Sequence, residues 1–351
     1  MKHIVYLANI RLPTEKAHGI QIMKTCEALA RGGAKVTLVV TNRKTIQTDP
    51  FEYYKVERNF TIKYAYCPEF IFLGKLGFLL MNVVFSQSCA YHVWKEKPDI
   101  VYSRDYLLLL DQMLWSQKKV WEVHDGIWGL AVQMMNISGI VAISNGLKQF
   151  YEQRGYKKIV VAHDAVDLKE FATTEKADLG FSTDKKIVMY IGHMYGWKGV
   201  DTFLEASNSV PNAQFVVIGG VREDYPNVKF LGYKPYNELP KNQKSADILV
   251  IPNSGKTDIS RLYTSPLKVF SYMTSGVPIV ASDLPSLREI LNDSNAFFAR
   301  ADDAESFAKT IHYVLEHPDE AKQKAEQAYK DVQKYTWEAR ARTILDFFDK
   351  I

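Results

Sequence analysis

Short runs of apolar, often β-branched residues alternate with amphipathic segments along the whole chain. Such near-continuous apolarity is typical of parallel strands that are buried on both faces. In the first half, strands are predicted over residues 3–8, 35–41, 61–66, 99–103, 119–124, 139–144 and 158–163. In the second half, they are predicted over residues 186–192, 213–219, 228–232, 247–252 and 277–282.

The segments between these strands predict the helices and the domain boundary. A helix is predicted from about His18 to Arg31, because apolar residues recur there at helical spacing and a glycine pair follows. The polar stretch 171–186 lacks periodicity and is interpreted as an interdomain linker. The pattern therefore predicts an α/β chain with two Rossmann-like, doubly wound domains.

The predicted domains are 1–170 and 171–336. The last segment, 337–351, has the apolar face of a helix and is expected to pack back on the first domain. Ligands of doubly wound folds bind at the carboxyl ends of the parallel strands, so candidate residues are sought there.

Composition narrows the class of protein. The chain has 351 residues, of which 47% are hydrophobic and 24% are charged, and these values exclude disordered, collagen-like and coiled-coil proteins. A net charge of +4 is too small for a protein that mainly binds duplex nucleic acid. Residues 1–175 hold 22 Lys/Arg against 17 Asp/Glu, and residues 176–351 hold 22 against 23. The basic first half favours an anionic substrate or an acidic membrane surface, with scattered solvated lysines as the alternative.

Cysteine usage and the N-terminal segment predict a cytoplasmic location. The cysteines, Cys26, Cys67 and Cys89, have no metal-ligand spacing, and the N-terminus runs directly into a predicted strand without a visible signal peptide. The apolar run 70–85 is broken by Lys75 and falls short of the roughly 18 apolar residues of a membrane span. It predicts a helix that is either part of the core or a patch for a lipid acceptor or the inner face of the cell membrane.

The loop after the first strand carries Gly19 but no Gly-x-Gly-x-x-Gly pattern, which disfavours an NAD enzyme. Gly19 next to a helix start would let a phosphate or sugar approach the free amides, unless it serves only the turn. His124 ends the predicted strand 119–124, where an imidazole can bond a substrate hydroxyl or stabilise developing charge. A structural histidine is the alternative.

Two lysines of the second domain stand at predicted helix starts. Lys198 follows a strand and a glycine-containing loop, and Lys268 follows Ser265-Pro266, which predicts an N-cap serine and a first-position proline. A cation is normally unfavourable in a first helical turn, so a bound polyanion would explain Lys268. The pair suggests a diphosphate pocket, and surface solvation of Lys198 is the alternative.

At these residues the sequence resembles glycosyltransferase family 4, whose members are retaining nucleotide-sugar enzymes with the GT-B fold. The resemblance is strongest in YIGHMYGWKGVDTFLEA (190–206) and in TSPLKVFSYMTSGVPIVASDLPSLREI (264–290), which is typical of the bacterial SPLK subgroup. Supporting matches are NVKFLGY (227–233), ADILVIPN (246–253), HDAVDLKEF (163–171) and LPTEKAHGIQIMK (12–24).

The resemblance implies a donor held in the cleft between two domains, with the nucleotide on the second. Lys198 matches the lysine that contacts the donor diphosphate, and His124 matches the histidine that touches the transferred sugar, which makes His124 the candidate catalytic residue. The other positions that match the nucleotide-sugar site are Gly19, Asn253, Ser265, Leu267 and Lys268.

The sequence departs from the family at three positions of that site. His193 stands where the family often has an arginine, and Tyr263 and Ser271 stand where it has paired glutamates near the donor sugar and the ribose. A serine is too short for the same bidentate contact but keeps one hydrogen bond. Weaker donor binding or an altered donor is therefore expected.

The function implied is a retaining, hexosyltransferase-type glycosyltransferase of polysaccharide biosynthesis. The donor is a nucleotide-diphosphate sugar, UDP-sugar first and GDP-sugar next, and the acceptor is a cell-surface glycan or a lipid-linked acceptor. The leaving diphosphate would help to deprotonate the acceptor, so no metal or other cofactor is expected, and the chain has no Asp-x-Asp triplet. The alternatives are a catalytically silent nucleotide-sugar-binding or regulatory subunit and a sugar-nucleotide epimerase.

Overall fold

A computed structural model describes residues 1–43, 46–70, 72, 74–111, 116–172, 174–181, 184–222, 224–225 and 227–351. The chain divides into two compact units. Unit 1 comprises Met1–His163 together with Trp337–Ile351, and unit 2 comprises Asp164–Thr336.

In the described part of the chain, unit 1 is built on one parallel sheet. Its strands are β1 (His3–Ala8), β2 (Lys35–Thr41), β3 (Thr61–Ala65), β4 (Ile100–Ser103), β5 (Lys118–Val123), β6 (Gly139–Ala142) and β7 (Ile159–Val161). Their order in the sheet is β3-β2-β1-β4-β5-β6-β7. The order reverses direction beside β1, which places a topological switch point, where such folds bind ligands, between β1 and β4.

Unit 2 repeats the design with a second parallel sheet. Its strands among the described residues are β8 (Lys186–Ile191), β9 (Ala213–Ile218), β10 (Val228–Phe230), β11 (Ile248–Ile251), β12 (Ile279–Ser282) and β13 (Phe297–Ala299). The order is β10-β9-β8-β11-β12-β13, with the switch point between β8 and β11. Met189 belongs to one hydrophobic core and Val188 and Tyr190 to another, so β8 is covered on both faces.

Helices connect the strands of both units. They are α1 (Ala17–Arg31), α2 (Pro50–Tyr54), α3 (Gly74–Glu96), α4 (Tyr106–Asp111), α5 (Leu130–Gln133), α6 (Asn145–Glu152), α7 (Lys169–Ala172), α8 (Val200–Ala206), α9 (Leu239–Lys244), α10 (Leu267–Ser275), α11 (Pro285–Arg288), α12 (Ala304–Glu316), α13 (Pro318–Val332) and α14 (Trp337–Lys350). Side chains cap some of them: the Ser144 hydroxyl accepts a hydrogen bond from Leu147 N at the start of α6, at 3.2 Å.

The prediction of two doubly wound, parallel-sheet α/β domains is confirmed. The twelve predicted strands are all present, two with the predicted bounds and ten with ends shifted by one or two residues, and β13 is an addition that the pattern did not predict. Strand β13 is too short to show periodicity. It forms because β12 offers a free edge, on which Phe297 pairs with Val280.

The chain divides seven residues before the predicted boundary at 170/171, since the division falls between His163 and Asp164. The reason is tertiary: Val166 pairs with Thr336, and Phe171 is buried in the core of unit 2. Helix α14 is part of unit 1 and packs on α1, where a Cβ on Gly32 would lie 2.6 Å from a methyl carbon of Leu345.

The interpretation of 171–186 as a linker is wrong for its described part. The Lys244 ammonium donates to the carbonyl oxygens of Phe171 and Thr174, at 2.7 and 2.8 Å, and Ala177 N donates to Lys241 O at 3.1 Å. These bonds tie the polar segment to α9, so it forms part of unit 2. Residues 173, 182 and 183 of the segment lie outside the described residues.

Residues 74–85 of the apolar run lie in α3, and residues 71 and 73 are outside the described residues. Met81 and Phe85 are buried, but Phe78, Leu79 and Val83 are more than half exposed. The core interpretation therefore fits one face of α3 only. Within the described chain, α3 is the single helix whose length and composition would allow it to cross a membrane, which is weak evidence because core helices share these properties.

Candidate functional site

In unit 2, the loop after β8 begins at a glycine that allows close approach of a lysine. Gly192 has a φ of +151°, and a Cβ at this position would lie 3.0 Å from the Lys268 ammonium nitrogen. The Tyr190 hydroxyl donates to the carbonyl oxygen of His193 at 2.9 Å. The backbone of Gly192-His193 thus lies against the start of α10, and a side chain at residue 192 would displace Lys268.

Lys268 is a buried cation without a carboxylate partner. Its ammonium nitrogen is inaccessible to solvent, has no hydrogen-bond partner among the described residues and lies 4.1 Å from the ring centre of Tyr190. Burial and the charge of Lys198 lower the pKa of the Lys268 ammonium well below its ordinary value. An unpaired buried charge of this kind is costly unless an anion binds to it.

Lys198 supplies a second positive charge from a neighbouring loop. It ends a short 3-10 helix, Gly196–Lys198, and its ammonium nitrogen lies 5.4 Å from the ring centres of both Tyr195 and Trp197. Burial lowers the pKa of Lys198. Among the described residues, no carboxylate lies close enough to raise the pKa of Lys198 or Lys268. Two cations that repel each other point to a binding site for a polyanion.

Asn253 lies on the loop after β11, beside the same 3-10 helix. It is 1% exposed, and both ends of its side-chain amide lack a partner within the described structure. Gly199, at φ +66°, brings the two loops together, since a Cβ there would lie 1.8 Å from Pro252 O. Ser254 N donates to Trp197 O at 3.1 Å. A buried side-chain amide with no hydrogen bond at either its oxygen or its nitrogen is unusual, and it indicates a place where a ligand could form these bonds.

The start of α10 differs from the predicted cap. The helix begins at Leu267, Pro266 occupies the N-cap position, and no side chain caps the helix. The prediction of Ser265 as N-cap is wrong, because its hydroxyl instead accepts a hydrogen bond from Asp164 N at 3.1 Å. Since no side chain satisfies them, the first amides of α10 remain available to an anion.

Ser271, one turn further along α10, is held by a residue that the sequence did not single out. The Gln243 amide nitrogen donates to the Ser271 hydroxyl at 3.1 Å, and that hydroxyl donates to Lys268 O at 3.2 Å. The serine oxygen therefore keeps one lone pair for a further donor. The buried Gln243 Oε1 has no partner among the described residues. Tyr263 ends the π-helix Ile259–Tyr263, which precedes α10.

Unit 2 thus gathers most of the predicted site residues near the carboxyl ends of β8 and β11 and around the start of α10. The carbonyl oxygen of His193 accepts the hydrogen bond from Tyr190, and the centre of the His193 ring lies 5.5 Å from that of the Tyr195 ring. The residues placed there are His193, Lys198, Asn253, Ser265, Leu267, Lys268 and Ser271. Among the described residues, no group of three or more His, Cys, Asp or Glu side chains is arranged to hold a metal ion.

His124 belongs to unit 1 and follows the last residue of β5. Its Nε2 lies 2.6 Å from Oε1 of Glu122, which is fully buried, while about a fifth of the His124 side chain is exposed. Burial and the charge of Arg104 lower the pKa of His124 to about 4 despite that carboxylate. The imidazole is therefore neutral at neutral pH and is available for hydrogen bonds but not for an ion pair with an anion.

Gly19 is the third residue of α1, and its lack of a side chain leaves room for the side chain of Tyr54. A Cβ on Gly19 would lie 2.2 Å from the Tyr54 hydroxyl. This hydroxyl accepts from Thr14 N and donates to Thr14 O, at 2.7 Å each, which fixes the loop before α1. Close packing of Tyr54 therefore explains the glycine, and this packing shapes the loop in which a ligand contact was predicted.

Sequence reasoning missed Gln243, which bonds Ser271, and it missed Glu122 and Arg340, which form an ion pair at 3.0 Å beside His124. Glu122 carried a usable signal, because a carboxylate within an apolar strand buried on both faces must be paired. Gln243 and Arg340 carried no such signal. They lie on helical segments, far along the chain from the residues that they contact.

The comparison with family models finds a match over residues 185–317, within unit 2, to the family described as Glycosyl transferases group 1. An uncharacterised glycosyltransferase of Methanocaldococcus jannaschii is 26% identical over 190 residues, which cover 49% of this chain and 47% of that protein. A phosphatidyl-myo-inositol mannosyltransferase of Mycolicibacterium smegmatis is 22% identical over 230 residues, covering 61% of this chain and 58% of that protein. The chain thus spans about half to three fifths of the length of these curated relatives.

Solved structures match over the whole chain. Sucrose-phosphate synthase from Thermosynechococcus elongatus has a TM-score of 0.80 at 17% identity, covering 100% of this chain and 99% of that one. Anabaena HepE, solved in complex with UDP and glucose, has a TM-score of 0.74 at 15% identity, covering 100% of both chains. At these identities the structures establish the fold. The chain is therefore similar in fold to these two proteins, and its residues 185–317 are similar in sequence to the group 1 glycosyl transferases.

Proposed function

We propose that this chain is a retaining glycosyltransferase of family 4, in the SPLK subgroup. It moves a hexose from a nucleotide-diphosphate sugar, UDP-sugar first and GDP-sugar next, to a cell-surface glycan or a lipid-linked acceptor. The observation that carries the proposal is the pair of unpaired cations, Lys198 and Lys268, beside the uncapped start of α10.

A diphosphate fits this part of unit 2 because it would be the negatively charged partner that the ammonium groups of both lysines lack. The free amides of Leu267 and Lys268 add donors at the positive end of the helix dipole. These groups are fixed before the reaction, so they stabilise the charge that grows on the diphosphate as the glycosidic bond breaks. The proposed ligand of the buried Asn253 amide is the nucleotide part of the donor.

The similarities to known proteins agree with this ligand class. The family match falls within unit 2, where both lysines lie. The HepE structure has the same fold and was solved with UDP and glucose. The mycobacterial relative is named for transfer of mannose to a phosphatidylinositol, which supports a lipid-linked acceptor for this chain.

In the proposed reaction, the departing diphosphate oxygen accepts the proton of the attacking hydroxyl on the same face of the sugar. The acceptor oxygen forms the new bond at the anomeric carbon, and the configuration is retained. His124 contacts a hydroxyl of the transferred sugar through its neutral imidazole. The lysines and the α10 amides provide the charge stabilisation, so the proposed reaction uses no metal.

We propose the exposed face of α3 as the contact with a lipid-linked acceptor or with the inner face of the cell membrane, which implies a cytoplasmic, peripheral location. Phe78, Leu79 and Val83 project from this face, and Lys75 stands at its start. Contiguous exposed apolar side chains beside a cation are the pattern of an interfacial helix.

A catalytically silent, nucleotide-sugar-binding subunit is the second candidate. It is favoured by Ser271 and Tyr263, which replace carboxylates expected near the ribose and the donor sugar. The Ser271 hydroxyl offers one remaining acceptor position in place of two carboxylate oxygens.

Incubation with UDP- and GDP-hexoses, with and without a lipid-linked acceptor, tests the proposal. The expected result is release of nucleoside diphosphate and a product whose anomeric configuration, read by NMR, equals that of the donor. Lys198→Ala should slow both the release of nucleoside diphosphate and the formation of product, and Lys229→Ala, at an exposed lysine on β10, should change neither. Binding without turnover would favour the silent subunit. Conversion of the donor sugar without an acceptor would favour the epimerase.

A further inference from the structure

Glu122 is a fully enclosed carboxylate of unit 1: three side chains form hydrogen bonds with it, and a fourth forms an ion pair. It is fully buried on β5. Gln21 Nε2 donates to Oε1 at 2.5 Å, and the Tyr102 hydroxyl donates to Oε2. His124 Nε2 lies 2.6 Å from Oε1, and Arg340 Nη2 lies 3.0 Å from the same oxygen. The carboxylate therefore joins α1, β4, the end of β5 and α14.

Arg340 is the positive partner of this carboxylate and comes from the last helix of the chain. It is 4% exposed, and its Nη1 donates to the carbonyl oxygens of Ala162 and His163, the latter at 3.2 Å. These contacts fix the guanidinium at the place where β7 ends. Burying such a pair gives little net stability, since desolvation offsets the attraction, so its value to the protein lies in what it orients.

The protonation state of Glu122 determines that of His124. Burial raises the pKa of the Glu122 carboxyl, but the charge of Arg340 and the bond from His124 outweigh this effect and hold the pKa below its ordinary value. An ionised carboxylate can only accept hydrogen bonds, so the facing His124 Nε2 must carry a proton. Because burial and Arg104 keep the ring neutral at pH 7, Nδ1 carries none. Nδ1 also makes no hydrogen bond within the described structure.

We propose that Glu122 and Arg340 are positioning residues that hold His124 with its proton on Nε2 and present Nδ1 as the acceptor for a hydroxyl of the transferred sugar. The identity of that donor hydroxyl rests on the proposed function. The tautomer does not, because it follows from contacts within unit 1 alone.

NMR of protein labelled with ¹⁵N-histidine reads the tautomer directly. In the wild type at pH 7, the His124 signal, assigned by its loss in His124→Gln, should show a protonated Nε2 and an unprotonated Nδ1. A proton on Nδ1 in the wild type would overturn the proposal without any variant.

Variants then test the two positioning residues. Glu122→Gln and Arg340→Met should each increase the fraction of His124 with a protonated Nδ1, and Arg340→Lys should restore the wild-type signal. Glu27→Gln is the matched control: Glu27 is buried and paired with Arg31 at 2.9 Å, but it does not contact His124. An unchanged His124 signal in folded Glu122→Gln would contradict the proposal. If Arg340→Met does not fold, the wild-type and Glu122→Gln spectra still decide.

Kinetics separate this proposal from the proposed function. In an assay of sugar transfer to an acceptor, Glu122→Gln should lower kcat by about 2- to 10-fold, which corresponds to the loss of one neutral hydrogen bond. The KM for the donor should be unchanged. An increase in KM with unchanged kcat would show that the pair does not act through His124. Absence of transfer by the wild type, together with the expected tautomer, would refute the proposed function and leave the positioning role intact.

Discussion

The Lys268 ammonium nitrogen lies 4.1 Å from the ring centre of Tyr190, and this contact takes the place of an ion pair. A cation over an aromatic face gains about 0.5–2 kcal/mol, less than removal of an ammonium group from water costs. Lys198 adds a second unpaired charge nearby. The two unpaired ammonium groups therefore lower the stability of the free protein, and an anion bound between them would offset this cost.

Replacing Lys268 with methionine should stabilise the free protein. Lys268 has a folded-state pKa below its ordinary value of 10.5, so the unfolded chain binds more protons between these two values, and stability rises with pH across that window. At pH 7, Lys268→Met should raise the free energy of unfolding by about 1–3 kcal/mol, the cost of an unsatisfied buried donor. The gain should shrink as the pH approaches 10.5.

Urea denaturation at several pH values measures this difference, and Lys229→Met, at an exposed lysine of β10, serves as the control. A Lys268→Met variant less stable than the wild type at pH 7 would show that the amine has a favourable partner.

Replacing Ser271 with glutamate should tighten nucleotide binding. The serine oxygen has one free acceptor position, whereas a carboxylate can accept from both hydroxyls of a ribose. The expected gain is about 1.5–3 kcal/mol, as for other hydrogen bonds to charged groups. Pyrophosphate is the control ligand, because it lacks the ribose. A gain that is equal for pyrophosphate and for the nucleotide, or no gain for either, would remove residue 271 from the ribose contact.

Replacing His124 with alanine should impair transfer more than nucleotide binding. The neutral imidazole contributes one hydrogen bond to the sugar, so kcat should fall about 2- to 10-fold. The affinity for the nucleoside diphosphate should be unchanged, because the sugar is absent. Steady-state kinetics and calorimetry measure the two effects, with His312→Ala on the exposed side of α12 as the control. Equal losses in both would contradict the role of His124.

Polar substitutions on α3 should weaken binding to lipid vesicles. Phe78→Ser and Leu79→Ser remove apolar side chains that are more than half exposed, so the fold should be retained. Sedimentation with phosphatidylglycerol–phosphatidylethanolamine vesicles should show a smaller bound fraction than for the wild type. Tyr313→Ser removes an exposed aromatic side chain of unit 2 and is the control. Equal sedimentation of all proteins would exclude α3 as a membrane contact.

Much of the fold could be predicted from the sequence, because buried parallel strands leave a local pattern. β2 is buried along nearly its whole length, and its apolar run predicted its bounds without error. The segment 171–186 misled for the opposite reason: it is polar, yet its backbone carbonyls bind Lys244. Only tertiary contacts reveal such packing.

Residues of the candidate site could likewise be predicted where the signal is local, but not where it depends on tertiary contacts. Both lysines were singled out from local signals: Lys268 because a cation in a first helical turn conflicts with the helix dipole, and Lys198 because it follows a strand and a glycine-containing loop. The partners that orient the site residues were not predicted. Arg340 forms an ion pair with Glu122, but the whole of unit 2 separates the two residues in the sequence. Gln243 on α9 donates a hydrogen bond to Ser271 on α10. Exposure of α3 could not be predicted from apolarity alone, since core helices and interfacial helices share it.

Calorimetric titration with UDP, GDP, ADP, CMP and dTDP, without added metal, measures whether the two lysines of unit 2 bind a diphosphate. We expect that one nucleoside diphosphate binds clearly, and that Lys198→Ala weakens its binding by about 1.5–3 kcal/mol, or about 10- to 100-fold. Lys229→Ala should bind like the wild type. No binding of any nucleotide at millimolar concentration, or unchanged affinity in Lys198→Ala, would contradict the assignment of these lysines to a diphosphate.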